Sequence, residues 1–159
     1  MEEKRLSWDS YFMGLTDAIA SRSTCLRRHV GAIAVDNKHR IIGTGYNGAP
    51  SGMSHCTKDT CVRIVRNIPS GQQLDICKAL HAEANIVLQL GYGLENATLY
   101  CNTQPCTNCF KLLIGSGISR IVWKNPYDDE YALQLMKEYG IIKPISIDGL
   151  FLMSIERYK

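Results

Sequence analysis

No stretch of this chain approaches the roughly 18 consecutive apolar residues of a membrane span, which excludes a helical integral membrane protein. Its start, Met1-Glu2-Glu3-Lys4-Arg5, has none of the apolar core of a secretory signal, and a cytoplasmic location is expected. Formal charge is only +3, and there is no block of consecutive basic residues. A broad nucleic-acid surface normally shows as a clustered basic patch, so a polynucleotide partner is not expected. A site for one phosphate remains compatible with this balance. Internal repeats, linkers and low-complexity tracts are also lacking. One domain over residues 1–159 is expected, long enough to bury a real core.

Cysteine, by contrast, is plentiful: seven residues, at 25, 56, 61, 77, 101, 106 and 109. In a reducing compartment such a set points to metal rather than disulfides. The most informative arrangement is His81-Ala82-Glu83 followed by Pro105-Cys106-Thr107-Asn108-Cys109. Catalytic zinc takes three protein ligands and keeps a fourth position for water. His81, Cys106 and Cys109 are the candidate ligands. Glu83 is left uncommitted, which a structural zinc site has no use for. The H-x-E…P-C-x-x-C pattern is the signature of zinc-dependent nucleobase deaminases. Glu83 is then the proton shuttle, taking a proton from water and delivering it to a ring nitrogen and to the departing amine.

Local patterns place these residues. His81 to Leu90 reads as a buried helix with Gly91 as its stop, putting His81 and Glu83 in its first turn about 200° apart. Ala97 to Asn102 reads as a strand, and Pro105 suits the first turn of a helix carrying Cys106 and Cys109 on one face. Earlier, Ser7 to Arg22 has helical spacing at Trp8, Phe12, Leu15 and Ile19. Val30 to Val35 and Arg40 to Thr44 form a hairpin about Asp36-Asn37-Lys38, and Gly45 to Gly52 is a glycine-rich loop. Ser119 to Trp123 is a strand, Asp129 to Tyr139 a helix ended by Gly140, and Ile141 to Ile147 a last strand. Helices alternating with strands predict a three-layer α/β/α fold around a mixed sheet of about five strands.

Residues 53–80 are polar, with short helical promise and three of the spare cysteines. So long a segment with little periodicity needs a staple. Cys25, Cys56, Cys61 and Cys77 can supply one as a closed four-thiolate zinc site. Two alternatives stand beside it: His55 replacing one cysteine, or some of the four being plain core thiols. Cys101 is left as a small buried strand residue.

With these residues in view, the chain resembles the deoxycytidylate (dCMP) deaminases of bacterial and phage type, within the zinc-dependent cytidine/deoxycytidylate deaminase family. The similarity runs from about Leu6 to Gly140. It is carried by Ser7-Trp8-Asp9-Ser10-Tyr11-Phe12-Met13, Ser21-Arg22-Ser23-Thr24-Cys25, Val30-Gly31-Ala32, Gly45-Tyr46-Asn47-Gly48 and the long insert before His81. The resemblance implies a cytidine-deaminase-like fold, a catalytic Zn²⁺ on His81, Cys106 and Cys109, and hydrolysis of dCMP to dUMP and ammonia, feeding thymidylate synthesis. It implies Asn47 near the deoxyribose. Arg22, Arg27 and Tyr127 become the candidates for the 5′-phosphate, since arginine donates a matched pair of hydrogen bonds to it. It also implies a homohexamer, activated by dCTP and inhibited by dTTP with Mg²⁺, with the effector at Gly45, Tyr46, Asn47 and Gly48.

Two rivals are weighed against this. A deaminase of another substrate, such as dCTP, cytidine, cytosine or adenosine in tRNA, shares the zinc motif; a polynucleotide substrate would call for a basic groove, and a nucleoside would have no need of phosphate-binding arginines. A non-catalytic zinc module would leave Glu83 without a purpose.

Overall fold

A computed structural model of the chain describes residues 5–139, 145–147 and 149–155. Helix α1 spans Trp8–Ala20, with the Ser7 hydroxyl accepting the Ser10 N–H at 3.1 Å as its cap. It buries Phe12, Met13, Thr16 and Ala20, while Trp8 stays half exposed and stacks on His39 at 4.3 Å. Strands β1 (Gly31–Val35) and β2 (Ile41–Tyr46) pair as an antiparallel hairpin. In its turn Asp36 Oδ1 accepts the N–H groups of Lys38 and Arg40, both at 2.9 Å. The backbone and guanidinium of Arg40 hold the Asp36 carboxyl down at about 2.

β2 runs two residues beyond the expected Thr44, so Gly45 and Tyr46 are strand rather than loop. The reason is packing. A Cβ on Gly45 would lie 2.3 Å from the carbonyl oxygen of Ala82 and 3.0 Å from Ile86 Cγ1. Only glycine lets the helix that follows His81 rest on β2 this closely.

The polar segment holds one short helix, α2 (Val62–Val65), and a single 3₁₀ turn at Leu74–Ile76. Then follow α3 (Ala82–Leu90), β3 (Thr98–Thr103), α4 (Thr107–Gly115), β4 (Arg120–Asn125) and α5 (Glu130–Glu138). β5 (Ile145–Ile147) and β6 (Leu150–Ser154) complete the order. The expected stop at Gly140 and the start of the expected last strand, residues 141–144, lie outside the described residues.

The sheet has six strands among the described residues, one more than expected, in the order β2-β1-β3-β4-β6-β5. β3 and β4 are parallel and the other neighbours antiparallel, so the sheet is mixed as expected. β6 is the strand the sequence reading did not separate.

Alternation along each strand divides the core in two. Ile33, Val35, Tyr100, Val122 and Leu152 point to α1 and pack with Phe12 and Met13. Ala32, Ala34, Leu99, Cys101, Ile121 and Trp123 point the other way, against Ala82 and Ile86 of α3, Phe110 and Leu113 of α4, and Ala132 and Met136 of α5. Helices therefore cover both faces, which is the three-layer arrangement. Across the first layer, Arg120 of β4 grips Asp9 of α1 with two hydrogen bonds of 2.8 and 2.6 Å. The starts of α3 and α4 come together at one end of this frame.

Candidate active site

His81 and Cys106 occupy the N-cap positions of α3 and α4, both with extended backbone (φ −75, ψ 157 and φ −72, ψ 168). The sequence reading placed His81 inside the helical turn and Pro105 there with the cysteines. In the structure His81 and Cys106 precede their helices, and Pro105 precedes the cap. Helical rotation therefore does not set the angle between His81 and Glu83; the extended cap residue does. An N-cap is normally Ser, Thr, Asp or Asn bonding back to its own helix. Here neither side chain makes that bond. Both are turned instead toward each other.

Their ligand atoms converge. His81 Nδ1 lies 3.5 Å from Cys106 Sγ and 3.4 Å from Cys109 Sγ, and all three atoms fall within 4.8 Å of one another. Tetrahedral zinc, with Zn–S of about 2.3 Å and Zn–N of about 2.0–2.1 Å, sets nitrogen and sulfur ligands about 3.5 Å apart. The observed separations match that edge, so the three residues fit a zinc ion with His81 ligating through Nδ1. Among the described residues no other group of three metal-binding side chains is this close.

Electrostatics agree. The Cys106 thiol is pulled down to about 4 by the hydrogen bond from Cys109 and by His81, while Cys109 is pushed up because it donates to that sulfur. Cys106 is thus poised as a thiolate, and a bound cation would have to displace the proton kept on Cys109. Glu83, 3% exposed, is pushed up to about 7 by burial, against the opposing pull of His81. A divalent ion at the three ligands would draw it lower. Cys101 is fully buried beside this group, and burial raises its thiol far above the ordinary range. It packs in the hydrophobic core, as expected of a spare strand cysteine.

The site opens into a cleft of about 330 Å³, in the size range of small-molecule pockets. His81, Glu83 and Cys106 form one end of its lining, with Asn47, Arg27 and Tyr127 also on its walls. Arg22 is not among the lining residues; it is exposed on the turn after α1. Two arginines that sequence reasoning missed take its place. Arg28 lies 5.0 Å over the Tyr127 ring, and Arg63 reaches in from α2. The sequence carried no signal for Arg63, which sits in the aperiodic segment.

Asn47 is 7% exposed and mostly committed. Its Oδ1 accepts from Ser23 Oγ (2.6 Å) and Val30 N (2.8 Å), and its Nδ2 donates to Arg28 O (2.8 Å). One amide N–H is left to face the cleft.

The glycine-rich segment divides two concavities. Asn47 faces the first, while Gly45, Tyr46 and Gly48 line a second, together with His55, Asn85 and Gln89. Cys25, Cys56, Cys61 and Cys77 do not form a ligand group as tight as the first. They are nevertheless neighbours: burial raises the Cys56 thiol, and the charges of Cys61, Cys77 and Cys25 raise it further.

Residues 6–125 match the cytidine and deoxycytidylate deaminase zinc-binding region. The chain belongs to that family. The similarity extends to individual members. A deoxycytidylate deaminase of Saccharomyces cerevisiae is 42% identical over 140 residues, covering 86% of this chain and 44% of the yeast protein. One from Mycobacterium phage D29 is 42% identical over 125 residues, covering 75% of this chain and 95% of the phage protein. The chain thus spans less than half of the yeast relative and nearly all of the phage one. The crystal structure of the apo dCMP deaminase from cyanophage S-TIM5 superposes with a TM-score of 0.62 at 26% identity, covering 83% of this chain and 94% of that one. As a zinc-binding family member, this chain has the family's fold and its His-Cys-Cys group. No helix among the described residues is long and apolar enough to cross a membrane.

Proposed function

We propose that the chain hydrolyses dCMP to dUMP and ammonia, the step that supplies thymidylate synthesis. The observation that carries this is the juxtaposition, in one cleft, of a zinc-fitting His81-Cys106-Cys109 group and a buried Glu83 with a set of arginines.

His81, Cys106 and Cys109 would hold a zinc ion, which would supply the Lewis acidity that activates the attacking water near neutral pH. Glu83, fixed on the first turn of α3, takes a proton from the attacking water and passes it to N3 of the pyrimidine. Oxygen then bonds to C4. Glu83 next takes the proton of the new C4 hydroxyl and delivers it to the amino group; the C4–N bond breaks as the C4 carbonyl forms, and ammonia leaves. One water is consumed per ammonia released. In this reading the free N–H of Asn47 donates to a sugar hydroxyl, and Arg27, Arg28 and Tyr127, which line the same cleft, face the phosphate.

The resemblance to deoxycytidylate deaminases supports three finer readings. Cys25, Cys56, Cys61 and Cys77 hold a second, structural zinc, which closes up the thiols around Cys56. The second concavity, at Gly45, Tyr46 and Gly48, takes dCTP as activator and dTTP with Mg²⁺ as inhibitor. The active form is a cytoplasmic homohexamer. Ammonia release from dCMP, CMP, deoxycytidine, cytidine and dCTP, with and without the two effectors, tests the substrate and the regulation. Turnover confined to dCMP is expected. Turnover of deoxycytidine or cytidine in preference to dCMP would transfer the site to a nucleoside.

A further inference from the structure

Two buried side-chain polar atoms among the described residues find no hydrogen-bond partner, Arg63 Nε and Gln104 Nε2, and both residues line the catalytic cleft. Arg63 is the stronger anomaly. It is only 9% exposed, and its Nη2 donates to the carbonyl of Pro69 at 3.0 Å. That bond fixes the guanidinium but neutralises none of its charge. No carboxylate of the described residues lies within ion-pair distance of it. It lines the same cleft as His81 and Tyr127.

A guanidinium stays protonated at any ordinary pH. Burying one without an anion is costly, a cost that a native fold tolerates where a ligand offsets it. An unpaired Nε–H beside a fixed Nη2 is half of the fork that grips a phosphate. Arg27 and Arg28, in contrast, are exposed. Water screens their charge and satisfies them without substrate.

We propose that Arg63 is the residue that makes this site require a phosphate monoester, donating Nε–H to the 5′-phosphate of the nucleotide. The proposal rests on the reading of this cleft as a dCMP site. The segment between Met53 and Leu80 then has a function beyond covering the fold: through α2 it delivers to the substrate the one buried cation among the described residues.

The test compares kcat/KM for dCMP and deoxycytidine in wild type, Arg63→Gln and Arg63→Lys, with zinc content and melting temperature measured for each. Wild type is read first, since preference for deoxycytidine there would overturn the dCMP reading itself. Given wild-type preference for dCMP, Arg63→Gln is expected to lower kcat/KM for dCMP about 10²-fold, mostly through KM, and to leave deoxycytidine within a few-fold. Arg63→Lys keeps the charge and loses the fork, with an expected loss of about 10-fold on dCMP alone; it decides the matter if the glutamine variant does not fold. Equal losses on both substrates would make Arg63 structural and overturn the proposal. Undiminished preference for dCMP would assign the phosphate to Arg27 and Arg28 and overturn it equally.

Discussion

Asp129 Oδ2 accepts the backbone N–H of Thr107 at 2.8 Å, and Oδ1 accepts the Thr107 hydroxyl at 2.8 Å. Cys106, turned toward the metal site, cannot cap α4. Asp129 caps it from the start of α5, while also accepting the Ala132 N–H at 3.0 Å as the cap of its own helix. Asp129→Ala is therefore expected to cost about 1–2 kcal/mol of stability and to loosen the Cys106–Cys109 turn. Thermal denaturation, with zinc retention against a chelator measured alongside, checks both parts. Loss of stability with full zinc retention would separate the cap from the metal site.

Glu83→Gln keeps the size of the side chain and removes its proton chemistry. Turnover is expected to fall by at least 10²-fold, with one catalytic zinc retained per chain. Steady-state ammonia release and metal analysis on the same preparation measure this. Substantial residual activity would pass the shuttle to another group.

The cysteines divide by role. Cys106→Ser should lose the catalytic zinc and all activity, since the other two ligands leave an incomplete set. Cys101→Ala, at a fully buried core position, should keep zinc and most activity and cost about 1 kcal/mol. Removing zinc from the wild type by chelation should lower its melting temperature, since an ion bound only by the folded state adds to stability. Calorimetry with and without chelator reads this directly.

Asp9 and Arg120 tie α1 to the sheet with two hydrogen bonds, and Tyr100 adds a third to Asp9 at 2.7 Å. The hydrogen bond from Arg120 is the main cause holding the Asp9 carboxyl below its ordinary value, against the opposing effect of burial. A depressed folded-state pKa means the unfolded chain takes up this proton first. The contribution is therefore complete above the ordinary carboxylate range, near pH 4 and higher, and is lost as pH falls through the folded value. Asp9→Asn is expected to cost about 1–3 kcal/mol at pH 7 and progressively less below pH 4. Urea denaturation of both proteins between pH 3 and pH 7 tests it, and a pH-independent difference would remove the ion pair as the cause.

Gly45→Ala inserts a methyl group against Ala82 O and Ile86 Cγ1. The backbone of α3 must shift, at about 1–3 kcal/mol, and His81 and Glu83 move with it. A fall in both stability and turnover is expected. Full activity in this variant would show that the catalytic group tolerates displacement of its helix.

Much of this protein was legible in the chain alone. His81 with Glu83, and Cys106 with Cys109, form two short motifs, each fixed by local spacing at a helix start, so their place at two helix starts needs no distant contact to be read. The hairpin at Asp36, the helix following His81 and the α/β/α layering were equally local, written in alternation, turn residues and helical period. Tertiary structure decided the rest. It placed Arg63 in the cleft and Arg22 outside it, committed three of the hydrogen bonds of Asn47 to Ser23, Val30 and Arg28, and gave α4 a cap borrowed from Asp129. It also showed that Gly45 serves the packing of α3. Each depends on groups about 20 or more residues apart meeting in space. A charge, an amide or a missing Cβ leaves no periodic trace of the partner it will meet, so spacing along the chain could not reveal them.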